Sequence, residues 1–197
     1  MMIPRLLAIP MFLILLLCSL QTTATSVLPV SLQRMATAAE IIFHGTATSN
    51  EVKLDQASGG VATYTTFKVS EVIKGDPGAT HTIKQIGGQL PGSQVRQLIH
   101  GVPRFSVGQE YVVFLPKASS LGFASPIGLS QGKFNILKLN GQAIVTGGRT
   151  LAAEMKTRQQ LDLPDAPSAI AADQVPDQPA GIHLADFLIT VRGMVKE

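Results

Sequence analysis

The chain is poor in the residues that most often carry cross-links or chemistry. Among its 197 residues there is one cysteine, no tryptophan and two tyrosines. Cys18 lies in an apolar leader, so the body of the protein has no thiol for a disulfide or a thiolate-bound zinc. Stability has to come from apolar burial, and a body of about 120 residues is long enough for one independent core. Scarce aromatics also argue against a nucleic-acid-binding barrel, which needs stacking platforms beside its basic groups. Net charge is +3 and the isoelectric point about 9.2, but no dense run of Lys and Arg appears. The four histidines, His44, His81, His100 and His183, show no metal-ligand spacing. Neither a metal nor another cofactor is expected.

What is present begins with a leader. Arg5 precedes the apolar run Ile9 to Leu17, and the small residues "TTATS" follow. This order reads as a secretory signal peptide, cut after Ala24 or after Ser26, and places the protein in the periplasm or outside the cell. Pro4, Arg5 and Pro10 interrupt the stretch too early for a membrane-spanning helix of about 20 residues. Residues 27–150 then form the folded body. Residues 151–182 are rich in Pro, Ala and Asp and read as a flexible linker. In 183–197, Leu184, Phe187, Leu188, Val191, Met194 and Val195 recur at helical spacing, the stripe of an amphipathic helix that docks on its own body or on a partner.

The body reads as mainly β. Ser31 caps a short N-terminal helix with Leu32, Met35 and Ala36 on one face. The segments 40–49 and 61–75 are rich in β-branched and aromatic residues. In the second, Thr63, Thr65, Phe67 and Val69 share one side. An extra residue near Ser70 and Glu71, a β-bulge, is needed to turn Val72 inward as well. Further strands are expected at 81–88, 110–116, 125–131, 132–139 and 142–146. Asn140-Gly141 marks a tight hairpin, and Gly75 belongs to a turn. A short helix is expected around Val95, Leu98 and Ile99. Strands at this spacing without intervening helices describe an antiparallel sandwich or small barrel. Phe67, Val69, Val72, Val113 and Leu115 are its expected core.

One motif raises enzymatic chemistry. Gly128-Leu129-Ser130-Gln131-Gly132 spells the G-x-S-x-G of a hydrolase nucleophile elbow, in which a strand turns sharply into a helix. Here the following "GKFNILKLN" alternates like a strand, and the α/β pattern of such hydrolases is missing. Ser130 is therefore read as a turn residue, and no catalytic residues are expected. A serine hydrolase acting through Ser130 is the remaining enzymatic alternative.

The run "AAEIIFHGTATS…YTTFKVSEVIKGDPG…PRFSVGQEYVVFLP…PIGLSQGKFNIL" resembles the netrin-like, OB-type barrel of the tissue inhibitors of metalloproteinases. Uncharacterised secreted bacterial proteins are similar and share the signature carried by Phe67, Val69, Glu71, Val72, Ile73, Lys74 and Gly75. The likeness covers about residues 30 to 140 and implies a small antiparallel barrel. The inhibitors' amino-terminal, zinc-binding cysteine has no counterpart here, so zinc chelation does not carry over. The resemblance implies an exported, non-catalytic binding module with a protein partner, conceivably an extracytoplasmic protease, and no nucleic acid. The alternative is an envelope-associated interaction protein that uses its C-terminal helix.

Overall fold

The computed structural model describes residues 28–147, 169–170 and 181–196. Both signal-cleavage positions, Ala24 and Ser26, and nearly all of the 151–182 segment lie outside them. Helix α1 (Leu32–Ala38) opens the described chain, with the Ser31 hydroxyl accepting from the Arg34 amide. Strands β1 (Ile41–Leu54), β2 (Val61–Lys74) and β3 (Thr80–Ile86) follow as a meander. Two-residue strands β4 (Gly88–Gln89) and β5 (Arg96–Gln97) pair with each other in the next loop. Then come β6 (Glu110–Leu115), β7 (Lys133–Leu139), β8 (Gln142–Thr146), β9 (Ala169–Ile170), β10 (Gly181–His183) and helix α2 (Leu184–Lys196).

The protein is mainly β, and its principal sheet is antiparallel, ordered β3-β2-β1-β6-β7-β8-β10-β9. The ladder is open: β3 and β9 are its ends and do not pair with each other. This corrects the expectation of a closed barrel, which would need the terminal strands to hydrogen-bond. The "SPIGLSQ" strand is also absent; Leu129–Gly132 is a 3-10 turn. No helix forms at Val95 to Ile99, where β5 supplies only a short bridge. That segment exposes Val95, Leu98 and Ile99, so nothing covers the apolar stripe that a helix there would need to bury.

Both faces of the central strand are buried. Val112 and Phe114 of β6 join a cluster with α1 and α2, built from Met35, Ile42, Phe134, Val145, Phe187 and Val191. Tyr111, Val113 and Leu115 point the other way, into a cluster with Phe43, Ala47, Phe67, Ile83 and Phe105. The first is the helix face and the second the aromatic face. On the aromatic face Phe67 meets Phe43, Phe105 and Tyr111 edge-on, at centroid distances of 5.4, 4.9 and 6.3 Å. Fully burying each such ring is worth about 1.5–3 kcal/mol.

The long strands β1 and β2 bend because their register slips at Thr48, Ser70 and Ile73. The bulge at Ser70 decides which face the end of β2 serves. Before it, Phe67 and Val69 pack on the aromatic face. After it, Ile73 packs on the helix face and Glu71 pairs with Arg192 of α2. Lys74 donates to the carbonyls of Ala36 and Thr37 at 2.9 and 3.0 Å, closing the C-terminal end of α1. Gly75 completes the turn at φ +74°, where a Cβ would collide with the Glu40 carbonyl. The extra residue does bring Val72 to the side of Phe43, its register partner. Val72 is nonetheless 44% exposed and stands outside the aromatic cluster, because strand phase sets the face a side chain joins and not whether anything covers it there. Val69 is half-buried. Of the other signature positions, Phe67 and Ile73 pack in the two cores, Glu71 pairs with α2, Lys74 caps α1 and Gly75 makes the turn.

Candidate binding cleft

The aromatic face is roofed by a loop rather than by helices, and the loop leaves an opening. Residues 87–108 cross from β3 to β6 and are tied down by side chains reaching main-chain atoms. Asn50 Nδ2 donates to the Phe105 carbonyl at 2.7 Å, while its Oδ1 accepts from the hydroxyl of buried Thr65 at 2.7 Å. Gln85 Nε2 donates to the Pro103 carbonyl at 3.1 Å, and the Thr63 hydroxyl to the Gly87 carbonyl at 2.7 Å. The Tyr111 hydroxyl accepts from the Ser106 amide at 2.8 Å. Lys133 Nζ donates to the Arg104 carbonyl at 2.8 Å and lies 5.0 Å from the Tyr111 ring centroid. Its half-burial pushes the Lys133 pKa below the usual lysine value.

Gly87 and Gly88 make the sharp exit from β3, with φ of +91° and +141°. A Cβ on Gly88 would sit 2.6 Å from Val52 Cγ1 and 2.7 Å from Thr63 Oγ1, so only glycine lets the loop lie this close to the sheet. Between loop and sheet remains a cleft of about 260 Å³. Val52, Ile86, Val102 and Phe105 give it apolar walls; Gln85, Arg96 and Arg104 give it polar ones. Val95, Leu98 and Ile99 stand exposed on the same loop. None of the lining residues is acidic.

Ser130, the histidines and the C-terminal helix stripe, weighed as sites from sequence, lie elsewhere. Ser130 is exposed in the 3-10 turn, which leads into strand β7 and not into a helix. The motif around it has a structural use. Gly128 takes φ +62° and Leu129 φ +61°. A Cβ on Gly132 would meet the Ile127 carbonyl at 2.6 Å. Gln131 accepts from the Val30 amide at 2.8 Å and donates to the Leu28 carbonyl at 3.1 Å, fastening the approach to α1. The histidines are scattered. His44 lies 3.2 Å from Glu110, His81 beside Phe43, His100 in the exposed loop and His183 on β10. Lys138, 2.7 Å from Glu110, holds that carboxyl below its usual range, with a smaller contribution from His44.

The helix stripe is occupied by the chain itself. Phe187, Leu188, Val191 and Met194 are buried in the helix-face core, with Leu184 and Val195 packed against it. Phe187 lies 5.0 Å from Phe134. No helix among the described residues is long and apolar enough to cross a membrane.

Sequence reasoning missed the cleft. Its polar residues come from β1, β3 and the loop, with no shared motif, and only the glycine pair and the exposed Val95, Leu98 and Ile99 mark the segment in sequence. No family pattern and no curated protein matches the chain.

Proposed function

We propose that this protein is a non-catalytic binding module, exported from the cytoplasm, that holds a protein partner at the cleft beneath residues 87–108. The observation that carries the reading is the roof of the aromatic face. Its two ends are held to the sheet by hydrogen bonds with the side chains of Asn50, Thr63, Gln85, Tyr111 and Lys133, while Leu98 and Ile99, which line the opening, are left 51% and 40% exposed. A fixed loop presenting apolar side chains at the mouth of a concave site is the anatomy of an interface core. The structural employment of the Gly128–Gly132 stretch supports the non-catalytic reading. On the netrin-like reading, the open sheet is a variant of the OB-type barrel, supported by the bulged β1–β2 pair and the Gly75 turn. The resemblance to metalloproteinase inhibitors then makes an extracytoplasmic protease the partner to examine first.

The test compares capture by the native protein and two variants from the fluid surrounding the source cells. Leu98→Asp with Ile99→Asp is expected to lose the captured partner. Lys68→Asp, an exposed change on β2, is expected to retain it. Equal capture by all three, or turnover of ester or peptide substrates that Ser130→Ala abolishes, would overturn the reading.

A further inference from the structure

Resting on that reading, we infer that the cleft recognises the free carboxyl-terminal end of a partner polypeptide whose last residue is apolar. Three independent features meet there. Arg96 and Arg104 both line the cleft, and neither guanidinium has an ion-pair partner among the described residues. With no acid in the lining, the opening carries uncompensated positive charge and favours an anion.

The second feature is Gln85. The residue is only 2% exposed, and its Nε2 is committed to the Pro103 carbonyl. Its Oε1 has no protein partner, yet no fully buried side-chain oxygen is left unsatisfied among the described residues. The oxygen therefore keeps access to solvent on a residue that lines the cleft, and can accept from an N–H donor there. The third feature is the apolar wall of Val52, Ile86, Val102 and Phe105.

A ligand for this set needs an anionic group, an N–H donor and a small apolar body within a compact space. The cleft, at about 260 Å³, lies just under the roughly 300–1,000 Å³ of drug-sized sites. A terminal amino-acid residue has this combination: its carboxylate meets the arginines, its amide N–H meets Gln85 Oε1, and its side chain enters the apolar wall. An internal residue lacks the charge, and an inorganic anion lacks the donor and the apolar body. Capture of a chain end by a charged, hydrogen-bonding recess is an established recognition mode.

The probe is a pool of hexapeptides ending in leucine, isoleucine, valine or phenylalanine, prepared as free acids, as amides and with the terminal sequence embedded internally. Binding to the purified chain is read by fluorescence anisotropy. Free acids are expected to bind, with amides and internal sequences weaker by about tenfold or more. Arg96→Gln and Arg104→Gln should each weaken the free acid by about tenfold while leaving Tm unchanged. N-methylation of the last amide should weaken binding to the native chain and cause no further loss in Gln85→Leu. Equal binding of free acid and amide overturns the inference but leaves the cleft as a protein site. Competition by N-acetyl-leucine at the same affinity as the hexapeptides overturns the polypeptide source. Failure of every peptide form to bind overturns the inference. The partner-capture result for the Leu98 and Ile99 variant then decides the wider reading separately.

Discussion

The two faces of the sheet are closed in different ways. On the helix face, α1 and α2 lay continuous apolar stripes over Ile42, Phe134 and Val145, and each helix is also clipped to the end of β2 by Lys74 or Glu71. On the aromatic face a loop does the covering. Phe105 is its principal plug, inserted between Phe67 and Tyr111 at 4.9 and 5.1 Å, while Val95, Leu98 and Ile99 in the middle of the loop stay exposed. A helix presents its apolar residues at regular intervals and seals what it covers. A loop pinned at a few points leaves unsealed space between them, and connections of this kind are where binding residues concentrate. The face closed by helices is scaffold; the face closed by a loop holds the opening.

This contrast is most directly broken at the centre of the aromatic cluster. Phe67→Ala should destabilise the protein by about 3–5 kcal/mol in denaturant unfolding, the range for deleting a buried ring. A loss below about 1 kcal/mol would mean that the loop-covered face is not a packed core at all. Next in size is Gly75→Ala, placed at φ +74° against the Glu40 carbonyl. Left-handed strain on a non-glycine residue costs about 1–3 kcal/mol. Thermal unfolding should show a loss of that order at least, since the collision adds to the strain.

A smaller effect concerns the polar corner where the turn between β1 and β2 meets β2 and β3. Asp55 is 2.7 Å from Lys84 and accepts from the Ser58 amide at 2.9 Å and the Tyr64 hydroxyl at 2.8 Å. Lys84 first, then Ser58 and Tyr64, hold its carboxyl well below the usual carboxylate range. Because the folded-state value is depressed, the stabilisation is complete above the unfolded value of about 3.9 and is lost as pH falls further. Asp55→Asn should therefore be less stable than the native chain at neutral pH, and the gap should begin to narrow as pH falls below about 4 and be only partly lost at pH 2. A gap that stays constant across that range would rule out the ionic origin. The smallest effect sharpens the comparison from the other side. Leu98→Ser should change stability by no more than about 0.5 kcal/mol, because that side chain is half-exposed on the loop; a larger loss would make it part of the seal.

How far these faces can be read from sequence depends on the range of the contacts that make them. The Ser31 cap, the Asn140-Gly141 hairpin and the bulge at Ser70 rest on local preferences, and the structure has all three. Val72 shows the limit: its phase follows from the bulge, but its exposure depends on tertiary cover, which phase does not set. The segment 125–131 looks strand-like in composition, yet the left-handed angles of Gly128 and Leu129 turn it into a 3-10 turn. Closure of the sheet was not legible, because it depends on whether strands far apart in sequence pair. The cleft was illegible for a related reason. Asn50, Gln85 and Arg104 are separated by long stretches of chain and carry no common spacing.

Strand β6 has a bearing on how the molecule comes apart. From Tyr111 to Leu115 its alternate residues belong to opposite clusters, and neither side of that stretch faces water. A partition wall of this sort cannot be stripped on one side without undermining the rooms on both. Loss of the loop cover and loss of the helices should accordingly coincide in a single cooperative transition, and amides along 110–115 should be among the last in the molecule to exchange.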